Sequence, residues 1–372
     1  MMNKKKIAIV GLGNAGIVTA MHFYHYGKNV TDLVDSVDIY YDPSVPIEKV
    51  GQGSILTIPK LIDKLIDTDW YDNKINATVK TGILYENWGK RVDKFFHMFP
   101  LNEIAIHYQP HLLSKAILES GKFNVIEKSV DDLSDIDADY VFDCRGKHLN
   151  DWDEYDTLIN PLNSALLHRK PTPDYSLQYT RCVATPDGWC FVIPNVDSVS
   201  YGYLYNDTVT TKEDATNNFK DIFDCDVDFS LGFKNYVAKN MFQGDRVFLN
   251  GNRYCFLEPL EATSTGMYQM VAQHAWQTIF LGVSQHDANA HMRMLVKQIE
   301  TFVLWHYQYG SAYNTPFWDY AKSLPFEMDR EFVTLLEKSR NHSLKELLWD
   351  HIDKEEYAQW NPFSFKVWED NV

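Results

Sequence analysis

The segment KIAIVGLGNAG, residues 6–16, decides the fold of this chain. It opens with an apolar run typical of a short buried strand, and its glycine-rich end indicates a tight turn into a helix. We expect that helix to reach about Gly27. A second apolar run, VDIYYD at 37–42, reads as another strand and ends in Asp42. Together these segments predict a β-turn-α-β unit and place the chain in the α/β class.

The glycine turn has the GxGxxG spacing, in the strand-to-helix context that this motif requires. Its key residues are Gly11, Gly13, Ala15 and Gly16. Glycines let the turn close and let backbone N–H groups approach a diphosphate at the start of the helix. An acid after the second strand often binds a ribose, and Asp42 is the candidate, with Asp38 and Asp35 as alternatives. The sequence predicts a dinucleotide site, or else a glycine turn needed only for packing.

The composition bounds both the size and the partners of the protein. A length of 372 residues suggests about two domains, and a hydrophobic content of 45% is enough for a large core. The formal net charge of −16 argues against binding to nucleic acid or to anionic membranes, because those partners need clustered Lys and Arg. No segment approaches the roughly 20 apolar residues of a membrane span.

Cysteine usage indicates a reducing compartment. The cysteines are Cys144, Cys182, Cys190, Cys225 and Cys255. Their number is odd and none forms a CxxC pair, so we expect neither a disulfide framework nor a metal site. The start MMNKKKIAIV is too short for a secretion signal and reads as the first strand. These features predict a cytoplasmic protein, and they leave a homo-oligomer open.

The nucleotide module is predicted to be discontinuous. Its parts are 1–59, 105–150 and 245–282. The remaining parts, expected to bind a substrate, are 60–104, 151–244 and 283–372. Within them, 150–245 read mostly as β-strands with turns, since LQYTRCVATPDGWCFVIPN and SVSYGYLYND alternate like paired strands. The last part, 283–372, reads as helical and rich in aromatic residues.

The stretch FLEPLEATSTG, residues 256–266, places two carboxylates, Glu258 and Glu261, around a proline in an apolar segment. Within the following residues, 267–282, apolar positions recur with the period of an amphipathic helix. The small residues from Ser264 to Gly266 open that helix, where unpaired backbone N–H groups suit an anion. The alternative is that these residues only cap the helix.

Several segments, in order along the chain, carry a family resemblance. They are GLGNAG (11–16), NATVKTGILYENW (76–88), FFHMF (95–99), GWCFVIP (188–194), GYLYND (202–207), FLEPLEATSTG (256–266) and FVLWHYQYGSAYNTPFW (302–318). In these segments the sequence resembles flavin-dependent halogenases of the tryptophan-halogenase type. The resemblance implies a Rossmann-like FAD-binding module with a β-rich insertion and a helical, aromatic-rich C-terminal substrate part.

The resemblance also implies a cofactor and partners. Reduced FAD, O2 and a halide ion (chloride, bromide or iodide) would give hypohalous acid, which halogenates a small aromatic substrate. Because the chain has one convincing dinucleotide motif, a separate NAD(P)H-dependent flavin reductase would supply the reduced FAD. Further residues expected to contact the cofactor are Gly51, Gly53, Ser54, Asp143 and Gly146.

The same resemblance assigns catalytic roles. Lys80 would relay the halogen by hydrogen-bonding hypohalous acid or by forming a haloamine. Glu261 would polarise that species and take the proton from the ring as a general base. Thr265 and Gly266 would bind the halide. The alternatives are an ordinary surface lysine at Lys80 and a buried carboxylate at Glu261 that caps a helix or pairs with a core group.

Aromatic residues and one histidine are expected to shape the substrate pocket. Phe99 would sandwich a flat substrate and His97 would fix its edge. Trp189 and Phe191 would separate the flavin from the substrate. For all four the alternative is ordinary core packing. The same choice applies to four C-terminal aromatic residues that would edge the pocket mouth, namely Tyr357, Trp360, Phe363 and Phe365.

Departures from the family pattern keep rival functions open. VGQGS at 50–54 replaces VGEAT, Phe191 stands where a tryptophan is usual, and Ala262 stands where a serine usually follows Glu261. The chain ends at Val372, where longer members continue, so we expect a more open pocket and broad acceptance of aromatic substrates. The rivals are a hydroxylating flavin monooxygenase and a flavin-binding protein without catalysis.

Overall fold

In the computed structural model the chain forms two compact units, each assembled from three segments. Unit 1 comprises 1–77, 105–157 and 236–293, and unit 2 comprises 78–104, 158–235 and 294–372. The structure describes residues 3–66, 73–100, 103–146, 152–350 and 356–372, with only the backbone described at 349–350. No helix among these residues combines the length and the apolar character that a bilayer crossing needs.

The strands are short and spread along the whole chain. They are β1 (Lys5–Val10), β2 (Val34–Tyr41), β3 (Gln52–Gly53), β4 (Thr78–Lys80), β5 (Gly82–Glu86), β6 (Lys94–Met98), β7 (Ala105–Tyr108), β8 (Asn124–Glu127), β9 (Tyr140–Asp143), β10 (Tyr155–Thr157), β11 (Ser164–Lys170), β12 (Thr180–Thr185), β13 (Gly188–Pro194), β14 (Val199–Tyr205), β15 (Phe229–Gly232), β16 (Tyr236–Ala238), β17 (Phe242–Gln243), β18 (Val247–Leu249) and β19 (Cys255–Phe256).

The α-helices lie between and after these strands along the chain. They are α1 (Asn14–His22), α2 (Ile58–Leu65), α3 (Pro110–Glu119), α4 (Lys212–Phe223), α5 (Thr263–Leu281), α6 (Gln285–Tyr309), α7 (Pro316–Ser323), α8 (Arg330–Arg340), α9 (Leu344–Asp350) and α10 (Pro362–Asn371). The helical character predicted for 283–372 is therefore confirmed.

Unit 1 is built on a six-stranded sheet with the order β17-β18-β9-β1-β2-β8. Strand β1 lies inside this sheet, parallel to both β2 and β9, and Ile9 stands opposite Ile39 and Phe142. The segment from Ile7 to Val10 is buried. A strand covered on both faces needs an apolar run, which is what the sequence has. The predicted Rossmann-like parallel core is confirmed.

The helix after the glycine turn continues further than the sequence predicts. After α1 the chain widens into a π-helix over Phe23–Val30, instead of stopping at Gly27. The N–H of Thr31 closes it by donating to the carbonyl of Tyr26 at 3.0 Å. A Cβ on Gly27 would lie 2.4 Å from Cγ2 of Val34. Gly27 is therefore a packing residue that lets the π-helix approach β2, and it does not end the helix.

Unit 2 is built on a seven-stranded sheet with the order β15-β11-β14-β13-β12-β5-β6. Strands β12, β13 and β14 form an antiparallel meander, and β12 also pairs in parallel with β5. The tight turn between β12 and β13 contains Asp187, which accepts a hydrogen bond from the Tyr203 hydroxyl at 2.6 Å. The β-rich region predicted inside 151–244 is thus confirmed by these strands.

Helix α4 interrupts that β-rich region and was not expected from the sequence. The side chain of Thr211 caps it by accepting a hydrogen bond from the N–H of Asp214 at 3.1 Å. One face of α4 carries Ala215 and Phe219, which pack with Leu166 in a core cluster of unit 2. A capping threonine followed by acids at positions 213 and 214 is typical of a helix start. The helix was not predicted because the surrounding alternation indicated strands.

The C-terminal aromatic residues pack inside unit 2. Trp360 stacks on Phe302 with ring centroids 3.9 Å apart, and Phe365 contacts Phe332 at 4.8 Å. Tyr357 and Phe363 are also buried. All four candidates for the pocket mouth are buried, as the packing alternative requires, and their role at a pocket mouth stays a prediction. The five cysteines are likewise buried, and all are free thiols.

The predicted nucleotide module falls within unit 1, but unit 1 extends beyond it. All three predicted parts of the nucleotide module, 1–59, 105–150 and 245–282, lie within unit 1. Unit 1 also takes in 60–77, 151–157, 236–244 and 283–293, which were predicted to belong to the substrate part. The predicted boundary between 150 and 151 lies outside the described residues.

Candidate functional site

The glycine turn in unit 1 has one residue that opens toward a ligand and two that are fixed by packing. Gly11 has a φ of +104°, and a Cβ on it would lie 2.5 Å from the carbonyl oxygen of Cys144. A Cβ on Gly16 would lie 1.9 Å from the carbonyl oxygen of Gly11. A Cβ on Gly13, by contrast, would meet nothing within 4 Å. This division of roles is the one that a dinucleotide turn requires.

Gly13 faces a cavity of about 320 Å³ in unit 1. Helix α1 begins beside it at Asn14, so its unpaired N–H groups and the positive end of its dipole favour an anion there. The cavity is lined by 10–15, 40–42, 45–48, 128–130 and 144–146, together with Pro110, Asn252 and Tyr268. Gly146 also lines it, and a Cβ there would again meet nothing within 4 Å.

Of the three acids considered for the ribose, Asp42 is the one that lines the cavity. The hydroxyl and the N–H of Ser44 donate to its carboxylate at 2.6 and 2.9 Å. These two hydrogen bonds hold the pKa of Asp42 below its ordinary value, so the carboxylate is charged at neutral pH. Asp38 instead accepts a hydrogen bond from Asn124 at the surface. Asp35 is exposed and also lies outside the lining.

Asp143, predicted as a cofactor ligand, lies behind the cavity wall. Its carboxylate is fully buried and accepts from Nε and Nη2 of Arg145, both at 2.9 Å, and from Nε of Arg253 at 3.0 Å. Burial alone would raise the pKa of Asp143, but the two guanidinium groups prevail and hold it below its ordinary value. Arg145, which the sequence reading did not select, is the member of this triad that lines the cavity.

Replacing Asp143 by asparagine is expected to destabilise the protein by about 3–5 kcal/mol at neutral pH, because Arg145 and Arg253 lose their buried counter-ion. The folded-state pKa of Asp143 is depressed, so its contribution is present above the ordinary pKa of about 3.9 and is lost as pH falls below it. Urea unfolding at pH 7 and near pH 3 should show the difference between the two proteins shrinking in acid. A difference that does not depend on pH would contradict this account.

A tyrosine fixes a further cavity residue that the sequence reading did not select. The Tyr108 hydroxyl donates to Oδ1 of Asn14 at 3.0 Å. Burial raises the pKa of Tyr108, so this hydroxyl keeps its proton. With its oxygen engaged, Asn14 has its amide NH2 left to donate, and Asn14 lines the cavity at the start of α1. The GxGxxG spacing gave no signal for this residue, because the motif leaves its position undefined.

The VGQGS loop contacts the start of helix α5 within unit 1. The carbonyl of Gly53 accepts a hydrogen bond from the Thr265 hydroxyl at 3.4 Å. Ser54 is buried, and its hydroxyl oxygen accepts from the N–H of Ile106 at 3.0 Å. Gly51 is buried in the same loop. The loop residues predicted to contact the cofactor thus lie beside Thr265, one of the two predicted halide ligands.

Helix α5 begins after an unusual backbone bend. Glu261 and Ala262 have φ of 66° and 56°, both in the left-handed region. Such residues cost about 1–3 kcal/mol each unless they are glycine, so the surrounding fold must impose this conformation. The helix starts at Thr263, and its first N–H groups have no acceptor one turn earlier in the helix. Thr265 lies in this first turn and Gly266 follows it, while Glu258 and Glu261 are both buried.

Lys80 is buried in unit 2 at the end of strand β4, with 2% of its surface exposed. Its Nζ lies 5.3 Å from the ring centroid of Phe99, within the distance of a cation–π contact. The N–H of Phe99 donates to the carbonyl of Thr81 at 2.9 Å, which fixes Phe99 next to this lysine. Lys80 is therefore not a surface lysine, and it lies beside the residue predicted to sandwich the substrate.

The other predicted pocket residues also belong to unit 2. Nε2 of His97 lies 3.1 Å from the Ser364 hydroxyl, and both side chains are buried. The indole Nε1 of Trp189 donates to the Tyr307 hydroxyl at 3.1 Å. Phe191 covers Gly202, where a Cβ would lie 2.0 Å from its ring. Trp189 and Phe191 are buried, and their rings are 6.3 Å apart.

The parallel sheet, the glycine turn and the cavity together define a dinucleotide-binding α/β protein. A family model described as "Tryptophan halogenase" matches residues 6–124 and 116–365, which is most of the chain. The chain therefore belongs to the tryptophan halogenase family.

Curated relatives and solved structures agree with this assignment. The chain is 26% identical to tryptophan 7-halogenase RebH of Lentzea aerocolonigenes over 429 residues, covering 86% of this chain and 79% of that protein. It is 29% identical over 157 residues to tryptophan 6-halogenase ThaL of Streptomyces albogriseolus, covering 39% of this chain but only 29% of that protein. The tryptophan halogenase of Shewanella frigidimarina shares the fold, with a TM-score of 0.77 and 16% identity over 98% of this chain and 88% of that chain.

The family implies FAD and a halide ion, and unit 1 has features that fit FAD. Gly13 and Gly146 leave open space in the cavity where any Cβ would intrude. The start of α1 suits the diphosphate, and the charged Asp42 carboxylate suits a ribose hydroxyl. A wall of the same cavity carries Lys128 and Arg145, two cations beside a site for an anionic cofactor.

Proposed function

We propose that this protein is a flavin-dependent halogenase that acts on electron-rich aromatic molecules. In the overall reaction, reduced FAD, O2, a halide ion, a proton and the aromatic substrate give FAD, the halogenated product and two water molecules. Bound reduced FAD would supply the two electrons that turn O2, a halide ion and a proton into hypohalous acid and water. A separate flavin reductase would regenerate the reduced cofactor. The observation that carries the proposal is the buried Lys80 beside Phe99, at the position that the family motif predicts.

On the cofactor side, residues of unit 1 bind and orient without supplying redox chemistry. The N–H groups at the start of α1 and the amide of Asn14 would hold the diphosphate. Asp42 would accept a hydrogen bond from a ribose hydroxyl. Arg145 is held in place by Asp143 and by the carbonyl of Val130, to which its Nη1 donates at 2.6 Å, and it would form a rigid wall at the adenosine half.

The halide would bind at the first turn of helix α5. Backbone N–H groups at a helix start hold an anion without a buried cation, so a desolvated halide can remain there and react. Thr265 donates its hydroxyl to the carbonyl oxygens of Ala262 and Gly53 at 3.1 and 3.4 Å, and in doing so it ties this turn to the VGQGS loop. The bend at Glu261 and Ala262 sets the direction in which that first turn points.

On the substrate side, Lys80 would hold the electrophilic halogen against one carbon of the ring. A lysine suits this task because its single nitrogen lies on a long stem and can lose its proton when it is desolvated. Phe99 next to it would stack on a flat substrate. For Glu261, at the bend before α5 in unit 1, the proposal keeps the role that the family resemblance assigns, a general base that accepts the proton released by the ring.

The substrate proposal is broad acceptance of aromatic molecules. The sequence carries the family motifs for the flavin and the lysine, but it departs from the family at Phe191 and Ala262. The relatives named above act on tryptophan according to their names. Tryptophan is therefore one member of the panel that follows, beside indoles, phenols and anilines.

The test is mass spectrometry of that panel with the purified protein, FAD, NADH, a flavin reductase, O2 and each halide in turn. We expect halide-dependent replacement of hydrogen by halogen on more than one aromatic substrate. Oxygen gain without dependence on halide would favour the hydroxylating monooxygenase. FAD binding without turnover of any substrate would favour the non-catalytic reading, and turnover of tryptophan alone would refute broad acceptance.

A further inference from the structure

The hydrogen bond between Ser364 and His97 links helix α10 to the predicted substrate pocket. In the pairing of β5 with β6, Ile83 stands opposite His97 and Tyr85 opposite Phe95. Residues opposite each other in an antiparallel pair project to the same face of the sheet. His97 therefore shares one face with Phe95, and the next position on that side of the chain is Phe99.

Helix α10 lies along this face in a definite register. The Trp368 ring contacts Tyr85 and Phe95, with centroids 4.8 and 5.2 Å away. Ser364, one turn earlier, brings its hydroxyl to 3.1 Å from Nε2 of His97. Ser364 contacts His97, and Trp368, one helical turn later, contacts Phe95, two residues earlier in β6. Helix α10 therefore runs antiparallel to β6. The contacts of Trp368 hold Ser364 at the level of His97.

The start of α10 is built so that the Ser364 hydroxyl is available to His97. Asn361 caps the helix, and its Oδ1 accepts hydrogen bonds from the N–H groups of Phe363 and Ser364 at 3.1 and 3.3 Å. A serine near a helix start often competes for such backbone groups. Here the Asn361 side chain accepts from those backbone N–H groups, so the Ser364 hydroxyl is left to hydrogen-bond with His97 in the sheet.

We propose that Ser364 is a positioning residue for the halogenation proposed above: its hydroxyl fixes the ring orientation of His97, and through His97 the edge of the aromatic substrate. An imidazole has two different nitrogens, and a ring flip exchanges them with carbons. A buried partner at Nε2 selects one orientation, because the flipped ring leaves the hydroxyl without its nitrogen. This inference rests on the proposed function and concerns which ring carbon faces Lys80.

Three substitutions at position 364 test the role of the hydroxyl. Ser364→Ala removes it, while Ser364→Thr and Ser364→Val give side chains of nearly equal shape with and without it. We expect Ala and Val to lower the ratio of the main product isomer to the others roughly fivefold, the effect of losing one ordinary hydrogen bond. We expect KM to rise with kcat little changed, and Thr to keep the wild-type ratio. If the alanine variant does not fold, the Thr and Val pair answers the same question.

Two further comparisons separate positioning from general packing. Ser339→Ala removes another buried hydroxyl in unit 2, which donates to the carbonyl of Leu336 at 2.7 Å, and it should leave the isomer ratio unchanged. In a double-mutant cycle with His97→Ala, adding Ser364→Ala should cause no further change, because Ser364 acts through His97. Additive effects of the two changes would overturn the inference.

A readout that needs no turnover keeps this inference distinct from the proposed function. The 15N NMR shifts of the His97 ring should change in Ser364→Val and remain as in wild type in Ser364→Thr. Identical shifts in all three proteins would overturn the inference even if halogenation is confirmed. A wild-type protein that halogenates nothing in the panel would refute the proposed function, and with it the catalytic purpose assigned to Ser364.

Discussion

Replacing Lys80 by alanine is expected to lower the rate of halogenation by roughly 10²–10⁴-fold, the range that one positioned group supplies in proton-transfer catalysis. Without the lysine nitrogen nothing would hold the electrophilic halogen beside Phe99, and free hypohalous acid would be lost to water. FAD binding should be unaffected, because Lys80 is not among the residues that line the cavity. Product formation by mass spectrometry and FAD affinity by fluorescence titration provide the two measurements.

Two variants control for this experiment. Lys90→Ala removes an exposed lysine of the same unit, whose Nζ donates to Asn314 at 2.8 Å, and it should leave the rate near wild type. Lys80→Arg keeps the positive charge but presents a guanidinium that does not lose its proton, so we expect it to be nearly as inactive as alanine. An arginine variant with wild-type activity would show that charge alone is needed and would contradict the halogen relay.

The glycine turn predicts a contrast between two alanine substitutions. Gly16→Ala places a Cβ 1.9 Å from the Gly11 carbonyl oxygen, a backbone atom that cannot move aside cheaply. We expect it to destabilise the protein by about 3 kcal/mol or more, within the range of severe core changes. Gly13→Ala meets no protein atom, so the fold should be kept while FAD affinity falls at least roughly tenfold, since the methyl group enters the cavity.

Thermal unfolding and FAD titration of the two variants separate these effects. Stability and binding should fall together in Gly16→Ala, whereas in Gly13→Ala only binding should fall. Gly232→Ala is a useful comparison, because a Cβ on Gly232 would meet only the carbonyl oxygen of Asn163 at 3.7 Å, an ordinary contact, and Gly232 lies outside the cavity. If Gly13→Ala bound FAD as tightly as wild type, the cavity would not be the diphosphate site.

The core of the fold could be predicted from the sequence because its signals are local. The apolar run before Gly11, the glycine spacing and the run ending at Asp42 lie within about 40 residues, and each constrains the next. The β12–β13 hairpin follows from alternation around one tight turn. The remaining parts of the fold could be predicted from the family motifs, because several of these motifs occur in order along the chain.

Other parts of the fold depend on contacts between distant residues. The π-helix passes Gly27 because Val34 requires close packing there, and no local pattern shows that requirement. Helix α4 has a capping residue, Thr211, that the sequence shows. The helix was not predicted because the strand patterns on both sides of it indicated a β-rich region. The C-terminal aromatic residues fit either a pocket mouth or a core, and their buried contacts, such as Trp360 on Phe302, come from residues far away in the sequence that no local pattern identifies.

For the candidate site, residue type could be predicted better than residue role. Asp143 was selected as a cofactor ligand because it ends a strand, yet two arginines occupy its carboxylate and Arg145 lines the cavity in its place. Asp143 and Arg253 are 110 positions apart in the sequence, and no local spacing pattern indicates a contact between such distant residues. Lys80 was selected from its flanking motif, and its burial beside Phe99 agrees with that selection. Its catalytic role stays a prediction.

The burial of all five thiols would matter in a protein that makes a strong oxidant, as proposed above. Thiolates react with hypohalous acids readily, and access controls which sulfur is attacked. All five cysteines lie beneath the surface, whereas Met294 and Met328 are 44% and 42% exposed. Oxidant that leaks into the medium would therefore reach these thioethers first. Methionine sulfoxide can be repaired by reductases, so damage would accumulate in a reversible form.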